Sequence, residues 1–272
     1  MAESRLVSIL MTAYNSQEYI ASSIESILNQ TFKEFDFIII DDASTDDTWS
    51  IIQRYASQDS RIKIYRNDIN LGIALNRTKL INLAQGKYIA WQDADDISLS
   101  QRIEKQLDFM EKNSEIGICG GWLKFFNQQG NKGIRKYAEN DKELRSKIFR
   151  YSPVAQPAAM IRKSVWKKVD AMYEKKFSGT EDLDMSFKIG QYFKFANLQE
   201  VVLEYRQQPN SITFRKLKKL EKQTLQIRRL FYKNKAYNFS LVDYVYNILQ
   251  VATLYLMPAK LRITLFNLMR NS

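Results

Sequence analysis

"YIAWQDADDIS" (residues 88–98) joins an apolar run to a concentration of negative charge. Tyr88 to Trp91 reads as a buried strand, and it runs directly into Asp93, Asp95 and Asp96. Carboxylates this close repel one another, so something positive is needed beside them. Outward from this stretch, apolar runs and helical patterns alternate. Upstream, a helix over 73–84 is closed by Gly86. Before it lie strands at 6–11, 35–40 and 62–65. The helices between them run to about Gln30, capped by Asn15 or Ser16, and to about Ser57, capped by Ser44, Thr45 or Asp46. Downstream, a helix begins near Ser98 or Ser100, and a strand spans 116–120. Alternation of this kind predicts an α/β, Rossmann-like fold: a mostly parallel sheet with helices on both faces. Ligands of such sheets bind at the carboxyl ends of the strands. "DDASTDD" follows the second strand and "DADD" the fourth, with a third acidic cluster, "TEDLD", at 180–184.

Beyond Gly120 the pattern loosens. A strand is expected within 154–161, a short helix over 181–189, strand structure over 195–205 and a basic helix over 216–237. Apolar-aromatic helices over 241–257 and 261–269 follow, separated by Pro258. This divides the chain into an α/β domain, 1–214, and a C-terminal helical appendage, 215–272. The net charge is +11, and residues from Arg215 onward carry twelve basic against two acidic side chains. Basicity therefore belongs to the appendage, while the rest is nearly neutral. With no nucleic-acid motif, nucleic acid is not expected as a partner. Asp243, Asn247 and Gln250 interrupt the apolar run, so the tail is expected to lie on a membrane surface or to pack on protein rather than to span.

Composition narrows the chemistry. The chain of 272 residues contains no histidine. That removes Ser-His-Asp and Cys-His catalysis and every imidazole metal site. Acid–base work falls to carboxylates, Lys or Tyr, and any metal must be held by oxygen, which favours magnesium or manganese. Cys119 is the only cysteine, which excludes a disulfide framework and fits a reducing, cytoplasmic setting. The N-terminal stretch lacks the pattern of a signal peptide, and no window of about 20 uninterrupted apolar residues occurs.

Five ordered motifs carry a family resemblance: "VSILMTAYN", "IIIDDASTDDT", "NLGIALNRTKLINLAQGKYIAWQDADD", "GTEDLDMSFKIG" and "YRQQPNSIT". Over roughly residues 7–213 the chain resembles the inverting family 2 glycosyltransferases of GT-A fold. The resemblance implies a nucleotide-sugar donor, most simply a UDP-sugar, and a divalent metal, manganese or magnesium. It implies a glycan or lipid-linked glycan as acceptor, and work at the inner face of the plasma membrane.

It also assigns roles. Thr12, Tyr14 and Asp42 match positions lining the nucleoside pocket, with Asp42 suited to accept a uracil imide N–H; the family usually has Pro at Thr12. Arg77 matches an arginine contacting base or phosphate. Asp95 matches the metal ligand, and Asp93 is expected to hold the ribose or support the metal shell. Asp182 matches the catalytic base, with Glu181 beside it as the other candidate. Both also suit a helix N-terminus capped by Thr180. Gln208 stands where many members have a metal-side His. An amide oxygen is the weaker ligand for manganese, so lower metal affinity or a preference for magnesium is expected. Trp122 is expected to form an aromatic wall for the acceptor. The other readings are a non-catalytic nucleotide-sugar or metal-binding module of the same fold, a configuration-retaining transferase, and a dinucleotide enzyme. The last lacks its glycine-rich turn, since "MTAYNSQ" contains no glycine.

Overall fold

In a computed structural model, the structure describes residues 6–169, 173–207, 212–258, 261–262, 264–266 and 269. The first half runs β1 (Val7–Ala13), α1 (Ile20–Leu28), β2 (Phe35–Asp41), α2 (Thr48–Gln58), β3 (Ile62–Arg66), α3 (Ile73–Leu83) and β4 (Tyr88–Trp91). The second half runs β5 (Ile97–Ser98), α4 (Arg102–Lys112), β6 (Ile116–Asn127), β7 (Gly130–Arg135), α5 (Asp141–Ser146), β8 (Met160–Arg162), α6 (Ser164–Val169), α7 (Glu181–Ile189), β9 (Lys194–Arg206), α8 (Ile212–Phe231) and α9 (Leu241–Leu256).

The strands form one sheet in the order β3-β2-β1-β4-β8-β6-β9-β5, with β7 paired to β6. The β3, β2, β1 and β4 strands are parallel. The short β8 lies between β4 and β6 and runs antiparallel to both. It starts later than the sequence suggests because Pro157 sits in a single 3-10 turn, Gln156–Ala158.

Continuous apolar runs become strands buried on both faces, and their side chains alternate between two cores. Val7, Ile9, Met11, Phe35, Phe37, Tyr88 and Ala90 meet Ile24, Ile27, Ile103 and Met110 of α1 and α4 on one face. Leu10, Ile38, Ile40, Ile89 and Trp91 meet Leu80, Phe187 and Phe195 on the other. Gly86 is required where α3 turns back to the sheet. A Cβ there would lie 2.6 Å from the Ser8 amide nitrogen, and the Ser8 hydroxyl accepts the Gln85 and Gly86 N–H groups.

The tail packs on the second of these cores. Ile227 and Tyr237 belong to the same cluster as Leu10 and Trp91, and Phe231 stacks on Phe187 at 4.8 Å. The 214/215 division therefore falls inside α8. The α9 helix is turned inside out: Asp243 and Gln250 are buried, while Leu241, Val245, Ile248, Tyr255 and Leu256 are exposed. Among the described residues, no helix is long and apolar enough to cross a membrane.

Candidate active site

The acidic turn at the end of β4 is held from beneath by Gln92, which is fully buried. Its amide donates to the Ser23 hydroxyl and to the Asp93 and Asp96 carbonyls, and its oxygen accepts from Ser98. Three guanidinium groups close on the turn. Buried Arg102 donates to the Trp91 carbonyl at 2.8 Å and to the Ser98 hydroxyl at 2.8 Å. Burial lowers its pKa to about 10, which still leaves it charged at neutral pH, and the charges of Asp96 and Asp93 act on it. Arg206 gives its Nε–H to the Asp95 carbonyl and its backbone N–H to Asp96 Oδ1. Arg77 lies 3.6 Å from Asp93 Oδ1. These arginines supply the positive charge that the clustered carboxylates require.

Asp96 is buried, and its Oδ2 has no hydrogen-bond partner among the described residues. Burial, with Asp95 and Asp93 beside it, pushes its carboxyl well above the ordinary range. Asp95 is half-buried. Burial also raises Asp93, with Arg77 opposing and Glu181 adding to the shift.

Arg77 joins this turn to the third acidic cluster. Its Nη1 donates to Glu181 Oε1 at 2.6 Å, and its guanidinium lies over the Trp91 and Tyr173 rings at 5.3 and 5.8 Å. The side chain is thus enclosed by two carboxylates and two aromatic rings. Glu181 is also buried, and its other oxygen accepts the Gly179 N–H. Asp182, next to it, is half-buried and lines an open cavity of about 330 Å³. Its pKa is raised to about 6, chiefly by burial and then by Glu181, while Arg77 and the N–H groups at the start of α7 pull it back. Thr180 makes no cap; its hydroxyl donates to the Phe177 carbonyl instead.

On the nucleoside side, the loops after β1 and β2 are zipped together. The Ser44 hydroxyl oxygen accepts the Asn15 N–H, and the Thr48 hydroxyl oxygen accepts that of Ser16. Gln17 and Asp46–Asp47 exchange two further bonds. Asn15 and Ser16 therefore pin a loop rather than cap α1, which starts at Ile20 without a side-chain cap. The N-cap of α2 is Asp47, without a side-chain cap bond, rather than Ser44, Thr45 or Asp46; Asp46, one residue earlier, accepts the Thr48 N–H. Thr12 is half-buried and Tyr14 exposed at this rim. Asp42 is buried and accepts from Asn67, Leu71 N and Gly72 N at 2.8–2.9 Å. Burial would raise its pKa, but these bonds hold it below the ordinary value. A carboxylate accepts about four hydrogen bonds, and three of these are taken in fixing the 67–72 turn.

Trp122 packs against a satellite core of Leu123, Phe125, Tyr137 and Val202. Its indole N–H donates to the Tyr137 carbonyl, and Lys136 covers its ring. Gln208 lies outside the described residues. The roles of Arg102, Arg206, Gln92 and Tyr173 went unread in the sequence. An arginine in "SQRIEKQL" looks solvated, and only the tertiary fold turns it inward.

Residues 8–170 match the sequence profile described as Glycosyl transferase family 2. The chain belongs to glycosyltransferase family 2. An uncharacterized glycosyltransferase of Methanocaldococcus jannaschii is 34% identical over 260 residues, covering 90% of this chain and 89% of the relative. The Escherichia coli UDP-Glc:alpha-D-GlcNAc-diphosphoundecaprenol beta-1,3-glucosyltransferase WfgD is 28% identical over 220 residues, covering 80% and 83%. A mannosyltransferase of Pyrobaculum calidifontis, solved with GDP-Man and Mn2+, shares the fold with a TM-score of 0.67 at 14% identity, covering 92% of this chain and 69% of that one. This family 2 chain is therefore a glycosyltransferase of GT-A architecture, with additional C-terminal helices.

A divalent metal fits the donor set of this site. Among the described residues, no group of three His, Cys, Asp or Glu side chains converges to hold an ion. Magnesium is held by one or two carboxylates, with substrate phosphates and water completing the shell. The half-buried Asp95 and the Asp96 oxygen that has no partner among the described residues supply hard donors of that kind.

Proposed function

We propose that this glycosyltransferase moves a sugar from a UDP-sugar to a hydroxyl of a glycan or lipid-linked glycan, with inversion at the anomeric carbon. One observation carries the reading: Asp182, its carboxyl held near 6, opens into a cavity and is tied through Glu181 and Arg77 to the DADD turn. Asp182 takes the proton of the acceptor hydroxyl as that oxygen attacks the anomeric carbon. The new C–O bond forms on one face, and the bond to the diphosphate oxygen breaks on the other. A general base works best with a pKa near the working pH, and about 6 leaves Asp182 mostly ionised at pH 7 without making it a negligible base.

Glu181 holds Arg77, and Arg77 sets the separation between the base and Asp93. Asp95 holds a divalent metal, manganese or magnesium, with Asp93 and Asp96 supporting it. That ion supplies Lewis-acid stabilisation of the leaving diphosphate when bound. Thr12, Tyr14 and Asp42 form the nucleoside side, and Trp122 is a candidate for the acceptor side. The UDP assignment draws support from the E. coli relative's name; a GDP-sugar, as in the archaeal structure, is the competing donor. The apolar outer face of α9 beside the basic α8 fits a peripheral position on the inner face of the membrane.

The test is thermal stability with UDP, GDP, dTDP and CMP, each with manganese, magnesium or EDTA. A ligand at a hundred times its Kd adds about 2.7 kcal/mol, a shift of roughly 5–10 °C for a chain of this size. A UDP shift that EDTA abolishes is expected. A shift with another nucleotide alone overturns the UDP assignment, and one insensitive to EDTA overturns the metal.

A further inference from the structure

The cavity that Asp182 lines is walled on its far side by the appendage. Leu217, Glu221, Thr224 and Arg228 of α8 contribute, as do Tyr246 and Gln250 of α9 and Arg262 beyond it, while Arg150 and Ser152 come from the body. Its volume, about 330 Å³, lies in the range of small-molecule sites, roughly 300–1,000 Å³. Three arginines line it, and they are not equivalent. Arg262 is paired with Glu221 at 2.9 Å and Arg150 with Asp243 at 2.8 Å. Arg228 is 5% exposed and makes no ion pair among the described residues.

Among the described residues, the hydrogen bonds of Arg228 go to neutral oxygens: Asn247 Oδ1, Gln250 Oε1 and the Arg150 carbonyl. Its Nε has no hydrogen-bond partner among the described residues. The Tyr246 ring lies 5.7 Å away, and Asp243, whose charge acts on it, is already committed to Arg150. A buried guanidinium without a carboxylate is costly. Neutral amides orient it without neutralising it. Such an arrangement suits a ligand that brings the negative charge.

We propose that this cavity is an anion subsite in which Arg228, backed by Arg150 and Arg262, binds the phosphate or diphosphate of the acceptor, placing the attached sugar toward Asp182. The inference rests on the transferase reading above and adds to it the chemical class of the acceptor: a glycan carried on a phosphorylated lipid rather than a neutral oligosaccharide. It also gives the appendage a part in the site, since Arg228 of α8 and Arg262 beyond α9 supply two of the three arginines.

The test measures binding of farnesyl diphosphate to the full chain in EDTA, so that the metal site does not recruit the diphosphate, with UDP and manganese titrated separately. Arg228→Gln and Arg228→Lys are compared with the parent, each checked for an unchanged thermal midpoint. A third variant, Thr224→Phe, one turn before Arg228 on the same face of α8, fills the cavity without replacing any residue that bonds Arg228. The expected result is a farnesyl diphosphate affinity reduced at least tenfold in Arg228→Gln and in Thr224→Phe, less in Arg228→Lys, with UDP affinity within twofold of the parent. Unchanged farnesyl diphosphate binding in Thr224→Phe overturns the subsite, as does absence of binding to the parent. Equal loss of UDP affinity assigns the anion to the donor and overturns the acceptor assignment. If UDP binds nowhere while farnesyl diphosphate binding obeys these expectations, the donor reading fails and the anion site stands.

Discussion

At the scale of single residues, the acidic clusters are organised by arginines. Arg77 is the clearest case, because it is buried between Glu181 and Asp93. Removing one partner of a buried pair leaves the other charge uncompensated, at a cost of about 3–5 kcal/mol. Arg77→Met is therefore expected to lower the denaturation midpoint strongly. Adding Glu181→Gln should restore part of the loss, and a double-mutant cycle read by urea unfolding would measure the coupling; simple additivity would count against the pair. Asp182 makes a different prediction, in which stability and activity move in opposite directions. Its folded pKa, about 6, lies above the ordinary value of 3.8. The folded state therefore holds its proton more tightly, and ionisation destabilises the fold as pH rises through that window. Asp182→Asn should be more stable than the parent at pH 7.5, by on the order of 1–2 kcal/mol, with the difference vanishing near pH 4. The same variant should lose roughly 10²–10⁴-fold in kcat. The parent's kcat should fall as pH drops through about 6, and a flat acid limb would remove Asp182 from the role of base.

At the scale of elements, the β–α alternation was legible because apolar runs and breakers are local signals. The β1, β2 and β4 strands and the helices α3, α7 and α9 lie within a residue or two of where periodicity puts them. What was not legible is what joins the elements. The short antiparallel β8 has three residues and no pattern of its own; β4 and β6 on either side define it. Capping was misread for a related reason. Asn15 and Ser16 resemble a helix start, but their polar groups are claimed by the loop 30 residues away. Asn15 also has φ 48, in the left-handed region, where Asn is tolerated better than most residues. Asn15→Ala should thus lose both the bond to Thr45 and the conformational fit, at about 1–2 kcal/mol. Asn15→Gly should recover the backbone part alone. Equal stability of the two variants in urea would show that the left-handed backbone contributes nothing.

At the scale of the whole molecule, the sequence located the basic charge but not the direction in which the tail faces. The polar residues of α9, which look like interruptions of an apolar helix, are its buried side, with Asp243 bonded to Arg150 and Gln250 to Arg228. The apolar side faces outward, with Leu241, Val242, Tyr244, Val245, Ile248, Val251, Tyr255 and Leu256 exposed. Lys218 and Lys222 of α8 reach over the Tyr255 ring at 5.4 and 5.8 Å, so basic and apolar surfaces adjoin. An exposed apolar face rimmed by cations has the chemistry of an interfacial helix. Each Lys or Arg near an anionic surface contributes roughly 1 kcal/mol, within about one Debye length. The expected outcome is sedimentation with vesicles containing anionic phospholipid and much weaker binding to zwitterionic ones. Raising the salt should release the protein only in part, because the apolar contribution is not screened. Ile248→Lys combined with Val251→Lys should abolish the salt-resistant fraction while leaving the nucleotide-induced thermal shift in place, since both side chains face away from the core. Lys218→Gln with Lys222→Gln should reduce the salt-sensitive fraction instead. If the vesicles bind neither parent nor variants while the protein elutes as a dimer that Ile248→Lys dissociates, the outer face of α9 belongs to a second copy of the chain and the membrane assignment is wrong.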